Sequence, residues 1–200
     1  MSKPFVNGIR FEEEASALKK HNRVKNSKSS YGWAAIVLHW AMALGIFLSF
    51  GLGLYMVELT YYDAWYQGSL DLHKSLGLVL LLVWIGRVAW RWLNTKPDMA
   101  GSKIEKKAAH IAHLTLYLLM LALMVTGYLI STADGRGIEV FALFEIPAMS
   151  ISFENQEDIA GDIHWGIAWS LMLLVALHTA AAIKHQLVNK DGTLMKIIRP

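Results

Sequence analysis

Asp162–His185 reads DIHWGIAWSLMLLVALHTAAAIKH. Between Asp162 and Lys184 it holds no Asp, Glu, Lys or Arg. Crossing a bilayer core of about 30 Å takes about 20 apolar residues in a helix, so this segment is long enough to span. Yet it carries His164, His178 and His185. A histidine in hydrocarbon is costly and marks a functional site by default. His164 and His178 are fourteen residues apart. Fourteen steps of about 100° end within about 40° of whole turns, so the two share a face, about 21 Å apart along the axis. One rod therefore offers two nitrogen donors at two heights.

Three other segments are comparable, which predicts an all-α membrane protein: a four-helix transmembrane bundle with spans at about 33–57, 70–93, 108–132 and 162–187. The composition agrees, with 54% hydrophobic and 18% charged residues and a mean hydropathy of +0.35. Trp33, Trp65, Trp90, Trp92 and Trp165 fall near predicted span ends, where indole prefers to sit. Residues 1–30 are polar and read as a cytoplasmic arm, 31–195 as the four-helix domain, and 196–200 as a cytoplasmic tail. Lys and Arg gather in the arm, in the loop between spans two and three, and after span four. The opposite connections hold only Lys74 and Arg136 against ten acids, Glu58, Asp63, Asp71, Asp134, Glu139, Glu145, Glu154, Glu157, Asp158 and Asp162. That asymmetry predicts both termini in the cytoplasm. The basic pI reflects this face; no nucleic-acid motif is present. The apolar, Pro-interrupted connection IEVFALFEIPAMSISF reads as a cap over the outer end.

Each donor on span four needs a mate at its own height. His39 and His178 both lie about 10 Å inside the cytoplasmic ends of spans one and four. His73 and His164 both lie just inside the outer ends of spans two and four. Facing imidazoles suit haem, whose iron takes two axial nitrogens and whose macrocycle fills an apolar gap between helices. Zinc is less natural, because two His per level leave its tetrahedral shell short. With no cysteine in the chain, thiolate ligation is excluded. His185 lies too near the surface to pair with His39. With Lys184 it is a candidate for a quinone head group or a haem propionate. His110 and His113 open span three beside Lys106 and Lys107 and read as rim residues with the same candidate role. Arg87 and Arg91 are candidates for a propionate of the inner haem, and Lys74 for one of the outer haem. Gly45, Gly51, Gly53, Gly77 and Gly86 permit close approach of a macrocycle or a helix.

The segments AAIVLHWAMA, DLHKSLGLVLLLVWIGRVAWRW, AAHIAHLTLYLLMLALMVTGYL and IHWGIAWSLMLLVALHTAAAIKHQLVNKDGTL resemble the bacterial cytochrome b561 family, related to the cytochrome b subunits of nickel–iron hydrogenases and to superoxide oxidase. LYMVELTYYDAWY and GYLISTADG point to its YceJ-type branch. The resemblance covers about residues 30–195. It implies a multi-pass inner-membrane protein with two bis-His haems b, on His39, His73, His164 and His178, and a histidine matching His185 beside ubiquinone. The expected function is electron transfer between a periplasmic protein or small-molecule donor and the quinone pool. Superoxide:ubiquinone oxidoreductase is one alternative; the acidic outer face is a poor funnel for an anion. A membrane-anchor subunit serving a redox partner is another. The reading places His185, Lys74, Arg91 and His110 around the cofactors.

Overall fold

The structure, a computed structural model, describes residues 24–149 and 153–200. The first 23 residues of the expected arm lie outside the described residues. Four helices are each long and apolar enough to cross a membrane: α1 Trp33–Met56, α2 Tyr66–Leu93, α3 Lys103–Ser131 and α4 Gln156–Lys184. Outward-facing Leu44, Leu82, Leu118 and Leu173 are 57–69% exposed, as lipid-facing side chains must be.

Three helices begin earlier than hydropathy predicts. Helix α3 starts at Lys103 because Ser102 and Glu105 form a reciprocal capping box: Ser102 N–H donates to the Glu105 carboxylate at 2.8 Å, and Glu105 N–H to the Ser102 hydroxyl at 3.3 Å. Helix α4 starts at Gln156, with Glu157 and Asp158 in its first turn. Acids there favour the positive end of the helix dipole, although they depress a hydropathy average. Gln156 also donates to the Leu129 carbonyl at 2.8 Å, tying α4 to α3. Helix α2 begins at Tyr66, where Ser69 donates back to the Tyr66 carbonyl.

Backbones approach closely between α1 and α2 and between α3 and α4, and less so between α2 and α3. Helix α4 makes no comparable backbone approach to α1 or α2. The two hairpins instead meet through side chains. Met42, Leu80, Met120 and Leu171, one from each helix, form the buried central layer. A Cβ on Gly45 would lie 2.5 Å from Leu80 Cδ2, so glycine is what lets α2 press against α1 there. Leu171 is midway between His164 and His178. The apolar layer therefore separates two histidine levels.

Both ends of the bundle are closed. At the terminus-bearing end, here the base, Asp98 N–H donates to the Lys28 carbonyl at 2.9 Å, Lys196 Nζ donates to the Asp98 carbonyl at 3.0 Å, and Trp40 Nε1 donates to the Ile197 carbonyl at 2.8 Å. Three separate segments thus interlock. At the far end, the α3–α4 connection departs from the all-α expectation. It forms an antiparallel hairpin, β1 Ile138–Val140 with β2 Phe144–Ile146. Its alternating pattern buries Ile138 and Val140 and leaves Glu139 outside. Phe141 N–H donates to the buried Ser75 hydroxyl at 3.0 Å, fastening the hairpin to α2.

Candidate functional site

The imidazoles of His39 and His178 meet with ring centres 6.4 Å apart. Those of His73 and His164 meet at 6.3 Å. A metal held axially between two imidazole nitrogens, each about 2 Å away, needs ring centres about 6 Å apart. Both pairs have that spacing. They are too far apart for a direct hydrogen bond and too polar to be left as mere packing.

The neighbouring helix contributes one residue to each imidazole. At the hairpin-end level, a Cβ on Gly53 of α1 would sit 3.4 Å from His73 Cε1, and one on Gly127 of α3 would sit 3.3 Å from His164 Cε1. Each glycine clears space for a ring. At the base level the corresponding residues are large. Arg87 Nη2 donates to His39 Nδ1 at 2.9 Å, and the His113 ring lies 5.2 Å from that of His178. The register is the same in all four helices. His39 and Gly53, His73 and Arg87, His113 and Gly127, and His164 and His178 are each fourteen residues apart.

Hydrogen bonding to the second ring nitrogen fixes which nitrogen is free to bind metal. His164 Nδ1 lies 2.9 Å from the Thr126 hydroxyl, whose own proton is donated to the Ala122 carbonyl at 2.8 Å. The hydroxyl therefore accepts from Nδ1–H, which leaves the Nε2 lone pair available. His73 Nδ1 is buried, with the Ser49 backbone as its polar neighbour and no close hydrogen bond. Thr126→Val removes this acceptor and leaves the Nδ1–H with only the Leu123 carbonyl. Loss of such an outer partner typically weakens metal binding about 10–100-fold. The expected result is loss of haem from the hairpin-end level on dilution or mild detergent extraction, followed by Soret absorbance, with the base level unchanged.

At the base, α4 ends in a π-turn, His185–Asn189, that turns the imidazole of His185 onto the following loop. His185 Nδ1 lies 2.6 Å from Asp191 Oδ2, and Asp191 Oδ1 accepts from the Thr193 hydroxyl at 2.6 Å. The Thr193 hydroxyl and, after it, the His185 ring hold the Asp191 carboxyl down at about 2. It is therefore ionised at any physiological pH and orients the imidazole. Lys184, expected beside His185 at the same site, instead pairs with Glu105 of α3 at 3.0 Å.

Other sequence-selected residues are placed differently. Arg91 does not reach an imidazole; it lies over the Tyr117 ring, 5.7 Å from its centre, and Arg87 is the arginine at the histidine level. His113 belongs to that level, whereas His110 is exposed. Lys74 is half-buried beside His73. Among the described residues, neither Lys74 nor His110 hydrogen-bonds to a paired imidazole. Thr126, Gly127 and the roles of Arg87 and His113 were not legible from span four alone. The fourteen-residue step, followed through every helix, would have found all of them except Thr126.

The residues fit haem on two counts. The pair spacing at both levels matches two imidazole nitrogens on one iron, and a Cβ on Gly77, one turn from His73, would meet no heavy atom within 4 Å. Among the described residues, no cluster of three or more His, Cys, Asp or Glu could hold a bare metal ion. Four apolar spans with imidazoles paired across them at two levels define a membrane-embedded b-type cytochrome.

Residues 30–200 match the profile of the prokaryotic cytochrome b561 family, and the chain belongs to that family. It is 41% identical over 175 residues to cytochrome b561 homolog 2 of Escherichia coli K12, covering 86% of this chain and 93% of the relative. It is 30% identical over 171 residues to cytochrome b562 of Cereibacter sphaeroides, covering 82% and 92%. It is 25% identical over 175 residues to probable superoxide oxidase CybB of Yersinia pestis, covering 84% and 95%. The chain is thus a haem-carrying, multi-pass electron-transfer protein of the bacterial inner membrane.

Proposed function

We propose that this protein carries electrons across the inner membrane between a periplasmic donor and the quinone pool, using two haems b held by His39 with His178 and by His73 with His164. The observation that carries this reading is the pair of imidazole spacings, 6.4 Å and 6.3 Å, at two levels of one bundle. Haem b held by these histidines would supply reversible one-electron uptake. The chain does the rest. Gly53 and Gly127 make room for the hairpin-end rings, and Thr126 holds the His164 proton on Nδ1. The central layer of Met42, Leu80, Met120 and Leu171 keeps water from the path between levels.

Quinone is placed at the base, by His185. Reducing a quinone consumes protons, and the His185–Asp191 contact is the arrangement that orients an imidazole toward such a partner. The proposal sets this end, with both termini, in the cytoplasm, and the excess of Lys and Arg in its loops supports that orientation. The donor then meets the hairpin end.

A second reading, superoxide as the donor, is favoured by the likeness to the Yersinia protein named a probable superoxide oxidase. The electrostatics weigh against it. Arg136, one of two cations on that face, is bound to Asp134.

The test is a reduced-minus-oxidised spectrum of the purified protein with pyridine-haem quantitation. The expected result is b-type bands and two haems per chain. No haem would sink the reading, and one haem would reduce it to a single level.

A further inference from the structure

The two imidazole levels differ in charge. At the hairpin-end level the neighbouring helices offer Gly53 and Gly127. At the base level they offer Arg87, bonded to His39 Nδ1, and the His113 ring. Arg87 is held from a second side, where its Nε–H donates to the Tyr117 hydroxyl at 3.0 Å. Its Nη1 is buried without a partner. Among the described residues, no carboxylate is paired with this guanidinium. A half-buried, uncompensated cation inside a membrane span is expensive to keep, which implies a use for its charge.

That use follows from elementary electrostatics. Arginine stays protonated at any physiological pH. Taking up one electron lowers the net charge of a redox centre by one. A fixed positive charge a few ångströms away, in a medium of low dielectric, therefore favours the reduced form and raises the reduction potential. Glycine has no such effect. Near the hairpin-end imidazoles the charges oppose one another, with Asp71 and Asp162 two residues before them and Lys74 one residue after His73.

We propose that Arg87 sets the order of the two redox levels, holding the base-level haem at a higher reduction potential than the hairpin-end haem, so that electrons run toward the base. This rests on the two-haem reading above. Arg87 is a positioning residue that acts through space. Arginine only donates hydrogen bonds, so while Arg87 is bonded to His39 Nδ1 a neutral His39 carries its proton on Nε2. Iron ligation through Nε2 needs that proton on Nδ1, which turns Arg87 toward another acceptor such as a porphyrin carboxylate. In either position it adds one positive charge to the base level, and beside a carboxylate it offsets a negative charge that would otherwise lower the potential.

The experiment is a potentiometric titration of the purified protein, read at the haem absorbance. Wild type should show two separate one-electron steps. His73→Ala, keeping only the base-level haem, should identify the higher step as the base level. Arg87→Gln should lower that step, leave the other in place and narrow the gap, while Arg87→Lys should largely restore it. A reversed or merged order in wild type overturns the proposal, as does an Arg87→Gln shift shared equally by both steps. Either result leaves the two-haem reading standing. Absence of haem from wild type overturns that reading instead. Should Arg87→Gln lose the base-level haem, the wild-type order and the Arg87→Lys titration decide.

Discussion

His164→Ala and His178→Ala should each halve the haem content of the purified protein, and the double variant should contain none. Each substitution removes one nitrogen from a facing pair, and the surviving partner cannot hold iron with both axial positions filled. The effect should be local. His164→Ala should spare the base level, because the two histidines stand about 21 Å apart on α4, with the apolar layer around Leu171 between them. His110→Ala is the control. That residue is exposed on α3 and should leave haem content unchanged. Pyridine-haem quantitation against protein concentration reads all four variants. Full haem content in either single variant would remove that histidine from the ligand set.

Gly127→Val should empty the hairpin-end level almost as completely as removing His164 itself. A Cβ at this position already comes within 3.3 Å of His164 Cε1 and 3.6 Å of Nδ1, and the two further methyl groups of valine add bulk on the side of the ring. Gly127→Ala should have an intermediate effect, because the ring must yield by only a few tenths of an ångström. Helix propensity works in the opposite direction. Replacing a mid-helix glycine by alanine favours the helix by about 1 kcal/mol. Weaker haem retention without a loss of thermal stability in the alanine variant would therefore isolate the steric effect. Normal haem content in the valine variant would mean that the ring has a second place to stand.

The four spans were legible because lipid imposes a simple demand: an uninterrupted apolar run of sufficient length. The pairing of His39 with His178 and of His73 with His164 followed from depth alone, since rods crossing the same film share one ruler. What hydropathy missed has identifiable causes. Ser102 with Glu105, and Glu157 with Asp158, extend α3 and α4 by chemistry that a hydropathy average scores as unfavourable. The β-hairpin was hidden by its shortness, with three residues in each strand. Its period-2 signal was present in IEV, where the two apolar residues are buried. Arg87 and Arg91 are a turn apart, and only the packing of Tyr117 separates their roles. Thr126 could not be singled out from one chain, and Gly127 stands out only against the fourteen-residue step. A helix glycine has many causes, and a threonine hydroxyl that bonds its own helix usually serves nothing else.

Under the two-haem reading proposed above, with the base in the cytoplasm, the spacing of the two histidine levels has a consequence for energetics in the living cell. About 21 Å is roughly two-thirds of a 30 Å hydrocarbon film. An electron passing between the levels thus traverses most of the voltage that respiration maintains. At about 2.3 kcal/mol per elementary charge for each 100 mV, that passage is worked on by about 1.6 kcal/mol. With the cytoplasm negative, inward traffic climbs this gradient and slows as the membrane charges. The bundle would therefore act as a throttle that senses how fully energised its membrane already is.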